Sequence, residues 1–156
     1  MGKPMPSLRL LSAGSDQLET LVAMMRELQS DDPWEEPFSE ELLRVNLARL
    51  LGEPTLGLVF VAWEEAEAVG YLVLCFDYSL EYRGKGAWVD ELFVKASRRG
   101  QRIGTQLLDL AEDASRQAGA KVLHLEVNHG NPAKELYRRR GFAEHQRFLM
   151  TKRLDR

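Results

Sequence analysis

A single cysteine, Cys75, stands in a chain of 156 residues. It excludes an internal disulfide and a cysteine-based zinc site. It lies in the apolar run Gly70-Tyr71-Leu72-Val73-Leu74-Cys75-Phe76, where a thiol packs as a small core group; a cytoplasmic location is the default expectation. No apolar run approaches the ~20 residues of a membrane span, and the opening MGKPMPSLRLLSAGS has no apolar stretch of signal-peptide length. Neither membrane nor export is therefore expected. Positive charge is not in excess either: 21 Lys and Arg against 24 Asp and Glu give a formal net charge of -3. That removes the basic footprint on which nucleic-acid binding depends and suits a cationic small molecule. The three histidines, His124, His129 and His145, do not make a ligand set by spacing, so no metal is expected.

What is there reads as one globular domain over residues 1–156, with 44% hydrophobic and 29% charged residues. A first strand is expected at Ser7 to Leu11. A helix follows, capped by Ser15 or Asp16, with Leu18, Leu21, Val22, Met25 and Leu28 on one stripe. It stops at Asp31-Asp32-Pro33, and Trp34-Glu35-Glu36-Pro37 forms a loop. A second helix starts at Ser39 and ends near Leu51-Gly52. Leu56 to Trp63 and Val69 to Phe76 read as a hairpin, and Ala87 to Val94 as a strand carrying two carboxylates. Gly104 to Gln117 is an amphipathic helix, Val122 to Val127 a strand, and Pro132 to Arg140 a short helix closed by Gly141. Phe142 onward and Phe148 to Leu154 supply the last strands. The order β-α-α-β-β-β-α-β-α-β-β predicts an α/β layered fold with a mixed sheet.

The informative segment runs from Val89 to Leu108. It reads strand, glycine-containing loop, helix. Free N–H groups and the dipole of a helix N-terminus attract an anion, Gly100 and Gly104 let backbone approach a ligand, and Thr105 adds a hydroxyl. The result is a candidate pyrophosphate cradle. The GxxxxGK[ST] loop and the Rossmann GxGxxG after a first strand are both absent.

Arg99-Gly100-Gln101-Arg102-Ile103-Gly104 resembles the [QR]-x-x-G-x-[GA] loop of the GNAT superfamily of N-acetyltransferases, with Arg102 standing where the family usually has its first glycine. Downstream, Ala133, Tyr137, Gly141 and Phe142 match the spacing of that family's N-x-x-A-x-x-x-Y-x-x-x-G-F helix and turn. Asn131 is one residue closer to Tyr137 than the pattern has it, and Gly130 holds the expected place. The motifs cover Ala87 to Leu154, and the earlier half agrees in the order of its elements. The resemblance implies a mostly antiparallel sheet with helices on both faces, and acetyl transfer from acetyl-CoA to an amine in a ternary complex, without a metal.

It also implies roles. Leu92, Phe93 and Val94 would bind the pantetheine arm through backbone, with the Leu92 N–H polarising the thioester carbonyl. Arg99, Gly100, Gln101, Arg102, Ile103, Gly104 and Thr105 would hold the pyrophosphate. Asn131, with Asn128 as a further candidate, would contact CoA, and Tyr137 would return a proton to the CoA thiolate. A carboxylate must take a proton from the amine. Asp90 and Glu91 are equal candidates here, Glu126 is a third, and an ion-pair role is the other reading of each. Strand alternation sends Asp90 and Glu91 to opposite faces. The family's acceptor loop corresponds to Trp34, Glu35 and Glu36, an aromatic beside acids that suits a small cationic amine. The competing functions are a protein or peptide N-acetyltransferase and a non-catalytic acyl-CoA-binding module. A homodimer is expected by analogy.

Overall fold

The computed structural model describes residues 7–155. The chain divides after Leu125 into two compact units. The first holds a sheet of five strands in the order β1-β2-β3-β4-β5: β1 Leu8–Ser12, β2 Gly57–Glu64, β3 Glu67–Ser79, β4 Gly84–Val94 and β5 Val122–Leu125. The first four pair antiparallel and β5 joins β4 in parallel.

β2 and β3 are rich in Val, Leu, Phe and Tyr; β2 is buried along most of its length and β3 from Ala68 to Leu74, as central strands covered on both faces must be. Helices α1 Leu18–Asp31 and α2 Glu40–Gly52 cover one face. Leu21, Val22, Met24, Met25 and Leu47 close there on Val59, Val61, Tyr71, Val73 and Phe93. Alternation turns Phe60, Ala62, Leu72 and Leu74 to the opposite face, where α3 Ile103–Gln117 supplies Ile103, Leu107, Leu108 and Ala111; all eight are buried. Each of the larger side chains, Val, Leu, Ile, Met or Phe, contributes about 1.5–3 kcal/mol by leaving water.

The ends of the helices follow from local chemistry. Ser39 caps α2 through Leu42 N–H (3.4 Å). The cap expected at Ser15 or Asp16 is not formed. A short 3-10 turn, Ser15–Gln17, precedes α1 instead, and Gln17 reaches back to accept the Gly14 N–H (2.7 Å). The longer glutamine side chain satisfies the entering amide that the capping oxygen was expected to serve.

The second unit contains α4 Ala133–Arg139. Gly141 closes it at φ +90°, donating to Arg138 O (3.0 Å), while Phe142 N–H donates to Tyr137 O (3.0 Å). This paired stop needs a left-handed residue and explains the glycine. The strands expected from Phe142 onward and over Phe148 to Leu154 are not present: residues 142–155 hold no strand. Phe148, Met150 and Leu154 are 93%, 90% and 86% exposed. An apolar alternation becomes a strand only where it pairs with a neighbouring strand, and among the described residues these pair with none.

Candidate active site

β4 is the element on which the site is built. Its pairing with β3 is regular from Gly84 to Val89 and from Glu91 to Val94, but Val73 opposes Glu91 while Leu74 opposes Val89. Asp90 is thus the extra residue of a β-bulge, which re-aims the strand. Alternation is interrupted across it, so that Trp88 and Glu91, three residues apart, share a face. Glu91, opposite Val73, lies on the α1/α2 face with Tyr71 and Phe93, and Asp90 is exposed.

The other edge of β4 opens at the same place. Its parallel pairing with β5 runs from Gly86 to Val89 and goes no further. Asp90 to Val94 therefore have a strand neighbour on the β3 side only, among the described residues. Lys95 N–H donates to Val69 O (2.9 Å), and antiparallel alternation then aims the Leu92 and Val94 amides away from β3, toward the open side.

Glu91 is mostly buried, and one of its oxygens, Oε2, accepts the Tyr71 hydroxyl at 2.7 Å. The Trp34 indole lies close enough to favour the charged form of the same carboxylate. Burial pushes the Glu91 carboxyl up to about 7; the Tyr71 hydroxyl opposes that rise, the Asp90 charge adds to it, and Trp34 opposes it. Near pH 7 the group therefore exchanges a proton readily.

Trp34 reaches this point because its loop is tied down. Its backbone N–H donates to Gln29 Oε1 (3.0 Å), and its ring stands edge-on to Phe38 at 5.5 Å. Gln29 Nε2 is buried without a partner, an open donor near the end of α1. Of the three loop residues expected to receive an acceptor, Trp34 is thus brought to Glu91, while Glu35 and Glu36 are exposed.

Beyond Val94 the chain makes a 3-10 turn, Ala96–Arg98, and enters α3. Arg98 is anchored to Glu64 (2.6 Å) and Lys95 to Glu67 (3.1 Å). Arg99 donates to Val94 O (3.0 Å) and pairs with Asp31. Gly100 has φ +78°, and Arg102, at the N-cap of α3, takes φ +64° and ψ 15°. The left-handed conformation at Arg102 is the one a glycine adopts freely. The first amide bonded within the helix is that of Gln106, on Arg102 O (3.0 Å), so the N–H groups of Ile103, Gly104 and Thr105 lack helical partners. Gly104 lies beside Val94, its missing Cβ 3.8 Å from Val94 Cγ2. The loop therefore presents amides, a helix dipole and two guanidinium groups, a set suited to a phosphate.

In the second unit Tyr137 is half-buried on α4, its ring edge-on to Phe142 at 5.9 Å. Burial raises its phenol above the usual range, so it carries its proton at neutral pH. Asn131 acts locally, its Oδ1 accepting the Ala133 N–H (2.9 Å) at the start of α4. Glu126 lies beyond β5, which ends at Leu125 and not at Val127.

Sequence reasoning missed Tyr71 as a partner of Glu91. It also missed a group on the same sheet face, where Trp88 Nε1 donates to Asp77 Oδ2 (2.9 Å) and the His124 ring lies 4.6 Å from Trp88 and 5.1 Å from Tyr82. Pairing across strands produced both, and spacing along the chain carries no sign of it. Cys75 faces the α1/α2 core as expected, and burial raises its thiol to about 11, which keeps it protonated. Among the described residues no group of three or more His, Cys, Asp or Glu is placed to hold a metal, and no helix is long and apolar enough to cross a membrane.

The profile of the Acetyltransferase (GNAT) family matches residues 21–142. The chain is 30% identical over 151 residues to the aminoalkylphosphonate N-acetyltransferase of Salmonella typhimurium, covering 96% of this chain and 94% of that protein. It is 33% identical over 96 residues to the IAA acetyltransferase of Azospirillum brasilense, covering 61% and 63%. Among solved structures, an integron cassette protein from the mobile metagenome of a salt marsh superposes with a TM-score of 0.82 at 28% identity, over 94% of this chain and 91% of that one. A predicted acetyltransferase from Clostridium acetobutylicum, determined with acetyl-CoA, shares the fold with a TM-score of 0.80 at 16% identity, over 94% and 96%. A strand that opens at its bulge, a helix entered through a left-handed residue and a match over most of the chain lead to one conclusion: the protein belongs to the GNAT family of acetyltransferases and is an acyl-CoA-dependent N-acyltransferase.

Proposed function

We propose that the protein transfers an acetyl group from acetyl-CoA to the primary amine of a small, cationic acceptor, with Glu91 as the general base. The observation that carries this reading is the buried Glu91 carboxylate, poised at about 7, beside the edge of β4 that β5 leaves unpaired. Pantetheine would run along Leu92, Phe93 and Val94, and the outward Leu92 amide would stabilise the oxyanion as the amine attacks. The pyrophosphate would rest on Arg99 to Thr105. Glu91 takes the proton that the attacking nitrogen must shed. Collapse of the tetrahedral intermediate expels the CoA thiolate, and Tyr137 returns a proton to it; this role rests on the residue's place in the family motif. Asp90 stays at the bulge as a spectator charge.

Acidic side chains support a cationic acceptor. Glu91 and Asp77 lie on one face of the sheet, and Trp34 and the Trp88–His124–Tyr82 rings add aromatic faces. The relative from Salmonella acts, by its name, on an aminoalkylphosphonate, which makes an anionic amine the main alternative. A peptide amine is the second. Thiol release from acetyl-CoA, measured against polyamines, amino acids, 2-aminoethylphosphonate and short peptides, separates these. Turnover confined to polyamines or amino-acid amines supports the reading, and turnover confined to the phosphonate overturns the cationic acceptor. Glu91→Gln is expected to lower kcat by about 10²–10⁴, against a few-fold for Asp90→Asn. The reverse order would move the base to Asp90.

A further inference from the structure

We propose that Tyr71 is a positioning residue for acetyl transfer, holding the Glu91 carboxylate at the open edge of β4 through a hydrogen bond from inside the sheet. The proposal rests on the reading of Glu91 as the base.

The geometry is specific. Tyr71 is fully buried, at 0% exposure, on the central strand β3. It lies directly opposite Phe93, with the two ring centroids 5.6 Å apart. Glu91 is two residues from Phe93 on the same face, the diagonal position that a long side chain reaches across a strand pair. The tyrosine hydroxyl meets Glu91 Oε2 at 2.7 Å, a charge-assisted length. With its ring packed against Phe93, Tyr71 has no room to swing away. The carboxylate is thereby pinned by one oxygen to a rigid part of the core, and its direction is set before any substrate arrives. Burial and the Glu91 charge hold the phenol far above its ordinary range, so it remains a donor throughout the working pH range.

The titratable groups that bear on Glu91 are few. Asp90 is next to it on β4, and Tyr71 and Cys75 face it from β3, the Cys75 thiol raised by burial and then by the Asp90 and Glu91 charges. The α1–α2 loop contributes the neutral Trp34 indole. Of these, Tyr71 is the one whose bond favours the charged carboxylate from a fixed, solvent-free position.

A purely structural account has Glu91 serving only as the acceptor that a buried hydroxyl requires. The two accounts differ in what Tyr71→Phe does to Glu91. The test follows the Glu91 side-chain carboxyl by carbon-13 NMR through a pH titration of the whole protein. It is read beside thiol release from acetyl-CoA with the amine panel. Removing the phenol donor is expected to raise the Glu91 midpoint by about one pH unit, a tenfold change in its ionisation equilibrium. The rising limb of the rate profile should move by the same amount, and kcat should fall about fivefold at pH 7 and about tenfold at pH 6 and below, while the KM for acetyl-CoA is unchanged. An unmoved midpoint in a folded Tyr71→Phe protein, with turnover lost in Glu91→Gln, overturns the positioning role and leaves the base standing. Full turnover in Glu91→Gln overturns both. If Tyr71→Phe does not fold, replacing the four tyrosines by 3-fluorotyrosine keeps the core and strengthens the donor. The midpoint then falls if Tyr71 sets it, and its staying in place overturns the proposal.

Discussion

At the residue scale, Glu91 gives up stability in order to sit where it does. Its carboxyl titrates at about 7 in the folded protein against an ordinary 4.5. The folded chain therefore holds a proton that the unfolded chain has released between those values, and stability falls as pH rises through that window. The loss is on the order of 2–3 kcal/mol above pH 8. Glu91→Gln removes the titration. Chemical denaturation at pH 5 and pH 8 should show the wild-type protein weakening at the higher pH by about that amount, and the variant changing much less. Equal pH dependence in the two proteins would place the perturbed carboxyl elsewhere.

The loop before α3 offers a second residue-scale prediction. Arg102 occupies a left-handed conformation that costs a residue with a Cβ about 1–2 kcal/mol. Glycine is free of that cost but adds entropy to the unfolded chain. Arg102→Gly should therefore raise stability by a few tenths to about 1 kcal/mol, seen as a small increase in Tm without ligand. A decrease would show that the guanidinium has a stabilising contact worth more than the strain.

At the scale of elements, β3 and β4 are held so closely that a methyl group is too much at one point. A Cβ on Gly70 would lie 2.7 Å from Phe93 O, and that oxygen belongs to the backbone of the strand carrying Glu91. Gly70→Ala should cost about 1–3 kcal/mol in a thermal melt and lower kcat more than it raises the KM for acetyl-CoA, since the strand pair must part beside Tyr71.

The elements were largely legible in the sequence, because they rest on periodicity and punctuation. The stripe from Leu18 to Leu28, the Ser39 cap and the stop at Gly141 depend on neighbours in the chain. The glycine-containing loop into α3 was legible too, through its spacing, and the left-handed angle at Arg102 accounts for the glycine usual there. The bulge at Asp90 was not. No glycine or break marks it, and it arises from how β3 and β4 take up register, so simple alternation would put Trp88 and Glu91 on opposite faces where the register puts them on one. Tyr71 and Glu91 are twenty residues apart, and only the pairing reveals the bond. The final strands were misread because Phe148 to Leu154 carry a strand-like pattern without a strand to pair with among the described residues.

At the scale of the whole molecule, a chain with net charge -3 is proposed to hold a polyanionic co-substrate. Attraction must then come from a local set, here Arg99, Arg102 and the start of α3, and not from the overall field. Acetyl-CoA at about a hundred times its Kd should stabilise the protein by about 2.7 kcal/mol, a rise of about 5–10 °C in Tm for a chain of this size. Coenzyme A lacking the acetyl group should give a similar shift, and adenosine a much smaller one. A protein that melts at the same temperature with and without acetyl-CoA would be inconsistent with the proposed cradle.

The extra residue at position 90 has a consequence for how the gene can vary. Any codon that replaces Asp90 leaves the count of residues between Trp88 and Glu91 intact, and both side chains stay on the face they share. Loss of the codon changes the count but not the faces. With one residue fewer, Trp88, Val89 and Glu91 would stay opposite Cys75, Leu74 and Val73 as a regular ladder, and the bulge that re-aims the strand would be gone. A library covering position 90 should thus recover many active substitutions, and an in-frame deletion that folds but has lost activity, although the deleted side chain is itself dispensable.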